Sequence, residues 1–287
     1  MLILKAPAKI NLAIDVLNKR DDGYHNIDIV TIPLELHDSL ELETYPKKYG
    51  TFVTSDDSSL ICDESNLVYI SYRLMKSTFH LEPGLRIKIF KRIPMEAGLG
   101  GGSADAASVI NAINKIHKLN LTDQQKIDLA IQVGSDVPYC LFNKPARIEK
   151  KGEKLTFLNL KKNYYVLLIQ PNMGLSTAGV YKLYDKVGGD KPNIDKLIQG
   201  LETDNDKLIE DNMVNALQKA ATIALPEIGN IINKLKDAGL KKVMMSGSGS
   251  TVFALDEDKE KIKNIAKLFN DDNHSVWVTK TACKINK

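Results

Sequence analysis

Cysteine is scarce in this sequence, with Cys62, Cys140 and Cys283 spread over 287 residues. Their number is odd, and neither a CxxC nor an HExxH spacing occurs. The sequence therefore supports neither a disulfide framework nor a zinc site. We expect a reducing, cytoplasmic setting for a chain of this kind.

Long apolar runs and a strong charge of one sign are also missing. No run of 18 apolar residues occurs, and the opening MLIL, interrupted by Lys5 and Pro7, is too short for a signal-peptide core. Lys and Arg number 39 against 36 Asp and Glu, whereas a nucleic-acid binder clusters basic residues on one face. We therefore expect neither a membrane nor a nucleic acid as a partner.

Glycine, by contrast, is concentrated between Ile93 and Ile116, where the chain reads IPMEAGLGGGSADAASVINAINKI. Four glycines fall within five residues, ahead of an alanine-rich run with helical spacing. The N–H groups of a glycine loop, added to the unpaired N–H groups at the positive end of a helix, form an anion site. A structural helix start, where close packing excludes side chains, explains the same residues. Both interpretations stay open on this segment alone.

The common phosphate-loop patterns do not fit this segment. A P-loop requires a Lys after its last glycine, and none follows any of these glycines. A dinucleotide loop requires G-x-G-x-x-G, but Ser103 or Asp105 stands where the third glycine would be. The protein-kinase loop fails on the same spacing, and no HRD or DFG sequence is present.

The first segment of the chain alternates between apolar and other residues from Leu2 to Val16. This period of two predicts an extended strand pair or one long bent strand. Pro7 cannot donate to a ladder and marks an edge or a bulge. Lys9 and Asn11 share the face opposite the apolar one, and spacing alone indicates that this face is solvated.

Other strands and helices follow the same kinds of pattern, with a tight turn at Asp22-Gly23 and Thr122 as a helix N-cap. Because both kinds of element occur in each half, the sequence predicts two α+β domains, 1–157 and 158–287, which meet near the polar segment 150–163. The expected strands are 28–33, 39–44, 85–93, 164–170, two around 246–250, and 274–281. The expected helices are 66–78, one that starts near Ser103, 121–133, 176–187, 212–224, 226–238 and 256–269.

Three segments together resemble the signature motifs of the GHMP kinases. These are PAKINL at 7–12, PMEAGLGGGSADAA at 94–107 and SGSGSTVFAL at 246–255, in the order typical of that superfamily. KRDDGYH, GSDVPY and QPNMGLSTAGVY are similar to one branch, whose members phosphorylate the 2-hydroxyl of a CDP-linked methylerythritol in isoprenoid precursor synthesis. The resemblance implies an N-terminal ribosomal-protein-like α/β domain and a C-terminal ferredoxin-like domain.

The resemblance also implies site residues for ATP. Asp136 resembles the catalytic Asp that accepts the hydroxyl proton, and Lys9 resembles the Lys that orients it. Mg²⁺ is expected to arrive with ATP and to be held mainly through phosphates, although Glu96 and Asp105 flank the loop. The ATP-binding set implied by the resemblance is Pro94, Met95, Glu96, Ala97, Gly98, Leu99, Gly100, Gly101, Gly102, Ser103 and Ala104.

For the CDP end of the substrate, the resemblance implies that His25 bonds the cytosine edge and that Tyr24 stacks on the base. Tyr181 would close the sandwich from the other side. The SGSGS segment is expected to approach the phosphate side of the substrate, and a plain hairpin turn is its alternative. The remaining substrate-binding residues implied in this way are Asn11, Thr177, Gly247, Ser248 and Gly249.

Two segments depart from the family pattern. The glycine-rich G-[KR]-G-E reads KKGE from Lys150, and N-[DE]-L-E reads NALQ from Asn215. We expect both changes to affect local loop geometry and kinetics rather than reaction class. The alternatives left open are another GHMP kinase of the mevalonate or homoserine type, a nucleotide-binding regulator without activity, and an RNA-binding module. We expect a monomer or a weak homodimer.

Overall fold

The computed structural model describes residues 1–46, 50–82 and 84–283. The chain forms two compact units, each assembled from segments that are distant in sequence. The predicted division into domains 1–157 and 158–287 stays a prediction. Residues 284–287, at the end of the second predicted domain, lie outside the described residues. Unit 1 comprises Met1–Ala8, Leu36–Met95 and Gly100–Asn143; unit 2 comprises Lys9–Glu35, Glu96–Leu99 and the described part of Lys144–Lys287.

Two long strands begin the chain, β1 (Leu2–Lys19) and β2 (His25–Tyr45), and they pair with each other. The predicted long first strand and the turn after it are confirmed, with Gly23 in the left-handed region at a φ of 84°. β2 is one continuous strand where the sequence predicted two pieces. Pro33 lies inside it without ending it.

In unit 1, the second part of β2 pairs antiparallel with β4 (Gly84–Phe90), which pairs in parallel with β3 (Thr51–Ser55). β4 ends short of the predicted position 93. The reason is that the N–H groups of Arg92 and Ile93 donate to the Asp38 carboxylate instead of to a neighbouring strand.

Two helices of unit 1 begin at side-chain caps, and the predicted N-cap Thr122 is confirmed. The Asn66 side chain accepts from the Val68 N–H, and Thr122 forms a capping box with Gln125. The glycine-rich segment leads into the expected helix, whose small residues Ala104, Ala106 and Ala107 are buried. These helices are α1 (Leu67–Thr78), α2 (Gly101–Ile116), α3 (Asp123–Val133) and α4 (Val137–Cys140).

In unit 2, the first part of β2 pairs antiparallel with β5 (Ala146–Lys150), which pairs antiparallel with β6 (Lys154–Phe157). The sequence indicated a polar, turn-rich segment from 150 to 163 and did not identify either strand of this pair. The KKGE segment is the turn of a hairpin, in which Lys150 takes a φ of 65° and Gly152 a φ of 130°.

A second sheet in unit 2 is antiparallel throughout, in the order β10-β7-β9-β8. It confirms the predicted strands around SGSGS and the final strand. Its apolar strands β8 and β9 lie within the core. The strands are β7 (Tyr165–Pro171), β8 (Lys242–Met245), β9 (Val252–Asp256) and β10 (His274–Lys280).

The helices of unit 2 complete an α+β chain, as predicted. The helix predicted at 212–224 begins only at Gln218, because the Ala216 N–H donates to the Ile14 carbonyl. Among the described ranges, no helix has the length and apolarity to cross a bilayer. The helices are α5 (Thr177–Val187), α6 (Ile194–Thr203), α7 (Asp206–Asn212), α8 (Gln218–Ala224), α9 (Glu227–Asp237) and α10 (Lys259–Ala266), followed by a 3-10 turn (Lys267–Phe269).

Both faces of β1 are covered over its middle residues. Lys9 is 4% exposed and Asn11 is 3% exposed, so the expectation of a solvated face is wrong. Alternation identifies which residues face one apolar layer, but it carries no information about what lies over the opposite face. Two buried polar side chains of this kind need partners, and these partners define the candidate site.

Candidate active site

The glycine loop is drawn tightly against the SGSGS segment at Gly98. Gly98 has a φ of 69°, and a Cβ atom on it would lie 2.2 Å from the Ser246 carbonyl oxygen. Gly100 also lies in the left-handed region, at 71°, and serves as the N-cap of α2. Since a side chain is excluded at Gly98 by both conformation and space, its glycine is required by the fold of unit 2.

Lys9 is held by two acceptors within unit 2. Its Nζ donates to the Asn11 Oδ1 at 2.9 Å and to the Gly98 carbonyl oxygen at 3.0 Å. The same carbonyl accepts from the Ser246 Oγ at 3.0 Å. Asn11 is fixed in turn, because its Nδ2 donates to the Thr31 Oγ1 at 2.9 Å. Lys9, Gly98 and Ser246 each come from one of the three motifs that resemble those of the GHMP kinases. The three motifs therefore meet at the Gly98 carbonyl group.

The SGSGS segment connects the antiparallel strands β8 and β9, as a hairpin turn does. Residues from other segments also form hydrogen bonds with it. Thr177 and Ser248 join their hydroxyls at 2.8 Å. The Asn215 Nδ2 donates to the carbonyls of Met245, at 2.9 Å, and Gly247, at 2.8 Å. Predicted substrate residues Thr177, Gly247 and Ser248 thus lie together, with Gly249 adjacent in the same loop.

Sequence reasoning missed the two residues that hold this loop. Asn215 is buried, and the Gln218 Oε1 accepts from the Met245 N–H at 3.0 Å. Both belong to the NALQ segment, so a glutamine performs this contact where the family pattern has a glutamate. The NALQ spacing was the available signal.

Tyr24, His25 and Tyr181 all belong to unit 2, where Lys151 lies beside Tyr24 and Asp185 beside His25. The rings of His25 and Tyr181 stack with centroids 5.3 Å apart and planes at 25°. Tyr24 is 53% exposed, and the Lys151 Nζ lies 3.8 Å from its ring centroid. The structure pairs Tyr181 with His25, and the predicted sandwich of a base between Tyr24 and Tyr181 stays a prediction.

Asp185 contacts His25, and the sequence did not identify it as a site residue. Its Oδ1 lies 2.7 Å from the His25 Nε2, and its Oδ2 accepts from the Lys19 Nζ at 2.8 Å. The hydrogen bond from Lys19 lowers the pKa of the Asp185 carboxyl, and His25 adds to this effect. Position 185 is four residues after Tyr181 on α5, so both side chains share one helix face.

Asp136 lies in unit 1 as the N-cap residue of α4, which has Pro138 in its first turn. The residues that follow Asp136 are buried, so the start of this short helix is firmly packed. Asp136 itself is half-buried. Its pairing with Lys9, which belongs to unit 2, stays a prediction.

A buried ion cluster in unit 1 supports the segment before the glycine loop. The Lys91 Nζ lies 2.5 Å from the Asp38 Oδ2 and 3.3 Å from the Asp105 Oδ2. The Asp38 Oδ1 accepts from the N–H groups of Arg92 and Ile93. Burial raises the pKa of Asp105 to about 8, against the opposing effect of Lys91. Asp105 is therefore a buried partner of Lys91 on α2.

The carboxylates near the loop offer little for a protein-bound metal. Among the residues that the structure describes, no group of three His, Cys, Asp or Glu side chains could hold a metal ion. Glu96 is exposed on the loop, whereas Asp105 is buried against Lys91. Of these two carboxylates, that of Glu96 is the one open to solvent.

Two family models match this chain. The GHMP kinases N terminal domain matches residues 66–144, and the GHMP kinases C terminal domain matches residues 192–271. The chain belongs to the GHMP kinases, a family of ATP-dependent small-molecule kinases. The predicted fold class is therefore confirmed, together with the predicted class of enzyme.

Within that family, the chain is similar to kinases of one name. It is 38% identical over 92% of its length to the 4-diphosphocytidyl-2-C-methyl-D-erythritol kinase of Bacillus pumilus, of which it covers 91%. It is 36% identical over 97% of its length to the enzyme of that name from Clostridium beijerinckii, of which it covers 99%.

Solved structures agree with this relationship. A crystal structure of 4-(cytidine 5'-diphospho)-2C-methyl-D-erythritol kinase matches with a TM-score of 0.81 and 28% identity, covering 98% of this chain and 99% of that one. Homoserine kinase from Cytophaga hutchinsonii matches with a TM-score of 0.77 and 21% identity, covering 98% and 94%. At that lower identity, the second likeness concerns the fold alone.

Proposed function

We propose that this protein transfers the γ-phosphate of ATP to the 2-hydroxyl of 4-diphosphocytidyl-2-C-methyl-D-erythritol, a step in non-mevalonate isoprenoid precursor synthesis. The relatives that carry this activity in their name align over 92% and 97% of the chain. The observation that carries the proposal is the Gly98 carbonyl, which accepts from Lys9 and from Ser246.

The glycine loop is the proposed cradle for the ATP phosphates. Its four glycines between Gly98 and Gly102 carry no side chains that would keep a phosphate away from the backbone N–H groups. Ser103 lies in the first turn of α2, where the helix dipole favours an anion. The implied set from Pro94 to Ala104 is proposed on this basis.

Asp136 and Lys9 are the proposed catalytic pair. The Asp136 carboxylate accepts the proton of the substrate hydroxyl as its oxygen bonds to the γ-phosphorus, and ADP leaves with the electrons of the broken P–O bond. The Lys9 ammonium, held by Gly98 and Asn11, supplies a fixed positive charge for the negative charge that develops. Mg²⁺ would neutralise the phosphate charge, with Glu96 as the available loop carboxylate.

The cluster of Tyr24, His25 and Tyr181 is the proposed site for the cytosine base. Aromatic stacking of a base contributes about 1–3 kcal/mol, and two of these rings lie in contact already. Thr177 and the loop of Gly247, Ser248 and Gly249 are proposed to contact the rest of the substrate. The free cysteines Cys62, Cys140 and Cys283 support a cytoplasmic enzyme.

A coupled ADP-release assay with three alcohols tests the proposed function. We expect turnover with 4-diphosphocytidyl-2-C-methyl-D-erythritol and none with mevalonate or homoserine. Turnover with either of the latter alone would move the protein elsewhere among the GHMP kinases. If ATP bound and no alcohol were phosphorylated, a nucleotide-binding regulator would be the better description.

A further inference from the structure

His25 makes a contact with Asp185 that the stacking of a base does not require. Nε2 of His25 and Oδ1 of Asp185 are 2.7 Å apart, and the His25 side chain is 7% exposed. An ionised carboxylate can only accept hydrogen bonds. The Nε2 atom must therefore carry the proton, which leaves Nδ1 as the nitrogen that can face a ligand.

Lys19 decides the charge balance of this contact. Its Nζ lies 2.8 Å from the second oxygen of Asp185, so the carboxylate already has a positive partner. A neutral imidazole then satisfies Asp185 by hydrogen bonding alone. In that form Nδ1 has a lone pair and accepts a hydrogen bond but cannot donate one.

We propose that Asp185 is a positioning residue that determines base specificity by holding His25 as its Nε2–H tautomer. The 4-amino group of cytosine donates, whereas uracil has an accepting oxygen at that position. An accepting Nδ1 therefore bonds cytosine and opposes uracil. This inference rests on the proposed function, since it assumes that His25 meets the base of a CDP-linked alcohol.

The substitution Asp185→Asn inverts this arrangement without changing the size of the side chain. Lys19 attracts the amide oxygen, so the amide nitrogen turns toward the His25 Nε2 and donates to it. The ring proton then moves to Nδ1, which becomes a donor and suits uracil better than cytosine. Asp237→Asn is the matched control, because Asp237 is exposed in the same unit and the charge change is identical.

Steady-state kinetics with the CDP-linked alcohol and its UDP-linked analogue provide the first measurement. We expect Asp185→Asn to lower kcat/KM for the CDP substrate about 10- to 100-fold, mainly through KM, because the hydrogen bond from the cytosine 4-amino group to Nδ1 is lost and two donors face each other. The preference for CDP over UDP should fall by at least about tenfold. Asp237→Asn should keep both values. An unchanged preference in Asp185→Asn would overturn the proposal.

The ¹⁵N spectrum of labelled histidine provides a second measurement that needs no turnover. His25 is assigned by the signal lost in His25→Gln. We expect a protonated Nε2 and an unprotonated Nδ1 in the native protein, and the reverse in Asp185→Asn. A native ring protonated at Nδ1 would contradict the proposal even if the enzyme phosphorylates the CDP substrate.

A second variant covers the case in which Asp185→Asn does not fold. Asp185→Ala, which places a strong helix former on α5, removes the acceptor of the Nε2 proton, so we expect the CDP preference to fall. An unchanged CDP preference in Asp185→Ala would overturn the proposal. If the native enzyme does not turn over the CDP substrate at all, the proposed function fails, while the spectrum still decides the tautomer.

Discussion

Gly98 lies in the left-handed backbone region and faces the Ser246 carbonyl so closely that a Cβ atom would overlap it. Its own carbonyl accepts from Lys9 and Ser246. A single residue thus joins the glycine loop, the first strand and the SGSGS loop within unit 2. Two steric demands, the left-handed backbone and the short distance to the Ser246 carbonyl, explain why this residue is a glycine.

We expect Gly98→Ala to destabilise the protein and to abolish most of its kinase activity. The left-handed conformation costs a non-glycine residue about 1–2 kcal/mol, and the overlap with Ser246 adds to this cost. Gly239→Ala is the control, since Gly239 has a φ of 86° but open space around it. Urea denaturation and ADP release should show the larger loss in Gly98→Ala. Native kcat/KM in that variant would contradict the account of the loop.

Asp136 has a defined place at the N-cap of α4, and its proposed role predicts the effect of Asp136→Asn. An amide cannot accept the proton, so kcat should fall about 10²–10⁴-fold while the affinity for ATP stays close to native. Asp128→Asn, an exposed change in the same unit, should leave kcat at its native value. If Asp136→Asn retained native turnover, Asp136 would not be the base.

At the scale of elements, the segment between β4 and α2 is shaped by buried charges rather than by a ladder. Asp38 accepts from two successive N–H groups where β4 ends, and Lys91 connects Asp38 to Asp105 on α2. The strand end and the helix start that flank the glycine loop are joined in this way. The local pattern of apolar residues cannot reveal such a connection.

The buried state of Asp105 predicts how stability depends on pH. Its pKa is raised from 3.8 to about 8 in the folded protein, so the folded state binds more protons than the unfolded chain between these values. The contribution of Asp105 to the free energy of unfolding therefore falls as pH rises through this range. The loss is complete only above the folded pKa.

We expect Asp105→Asn to remove this dependence. Relative to the native protein, the variant should gain free energy of unfolding between about pH 5 and about pH 8, as measured by urea denaturation. Asp128→Asn should show no such gain, because its carboxylate is exposed. If the free energy of unfolding of Asp105→Asn differed from that of the native protein by the same amount at both pH values, the raised pKa would be ruled out.

At the scale of the whole molecule, ligand binding should stabilise the fold by mass action. A non-hydrolysable ATP analogue at about 100 times its Kd should raise the free energy of unfolding by about 2.7 kcal/mol. Asp136→Asn should keep this gain, because Asp136 is proposed to act on the hydroxyl and not on the nucleotide. Gly98→Ala should lose it. A gain in Gly98→Ala equal to the native one would place the nucleotide elsewhere.

Much of this protein was predictable from its sequence, because the signals are local. Alternation determined the long strand β1, and Thr122 determined where α3 begins. The order of the three motifs determined the family. The β5–β6 hairpin escaped notice because its strands are only five and four residues long, too short for their alternation to stand out beside a polar turn.

Only the tertiary structure decided what covers the second face of β1 and what holds the site residues. The contacts of Lys9 with Gly98 and of His25 with Asp185 join positions 89 and 160 residues apart. A periodic pattern describes the faces of one element, whereas burial and hydrogen-bond partners depend on elements brought in from elsewhere in the chain. For that reason the sequence determined the motifs and the class of enzyme, and folding determined which atoms meet.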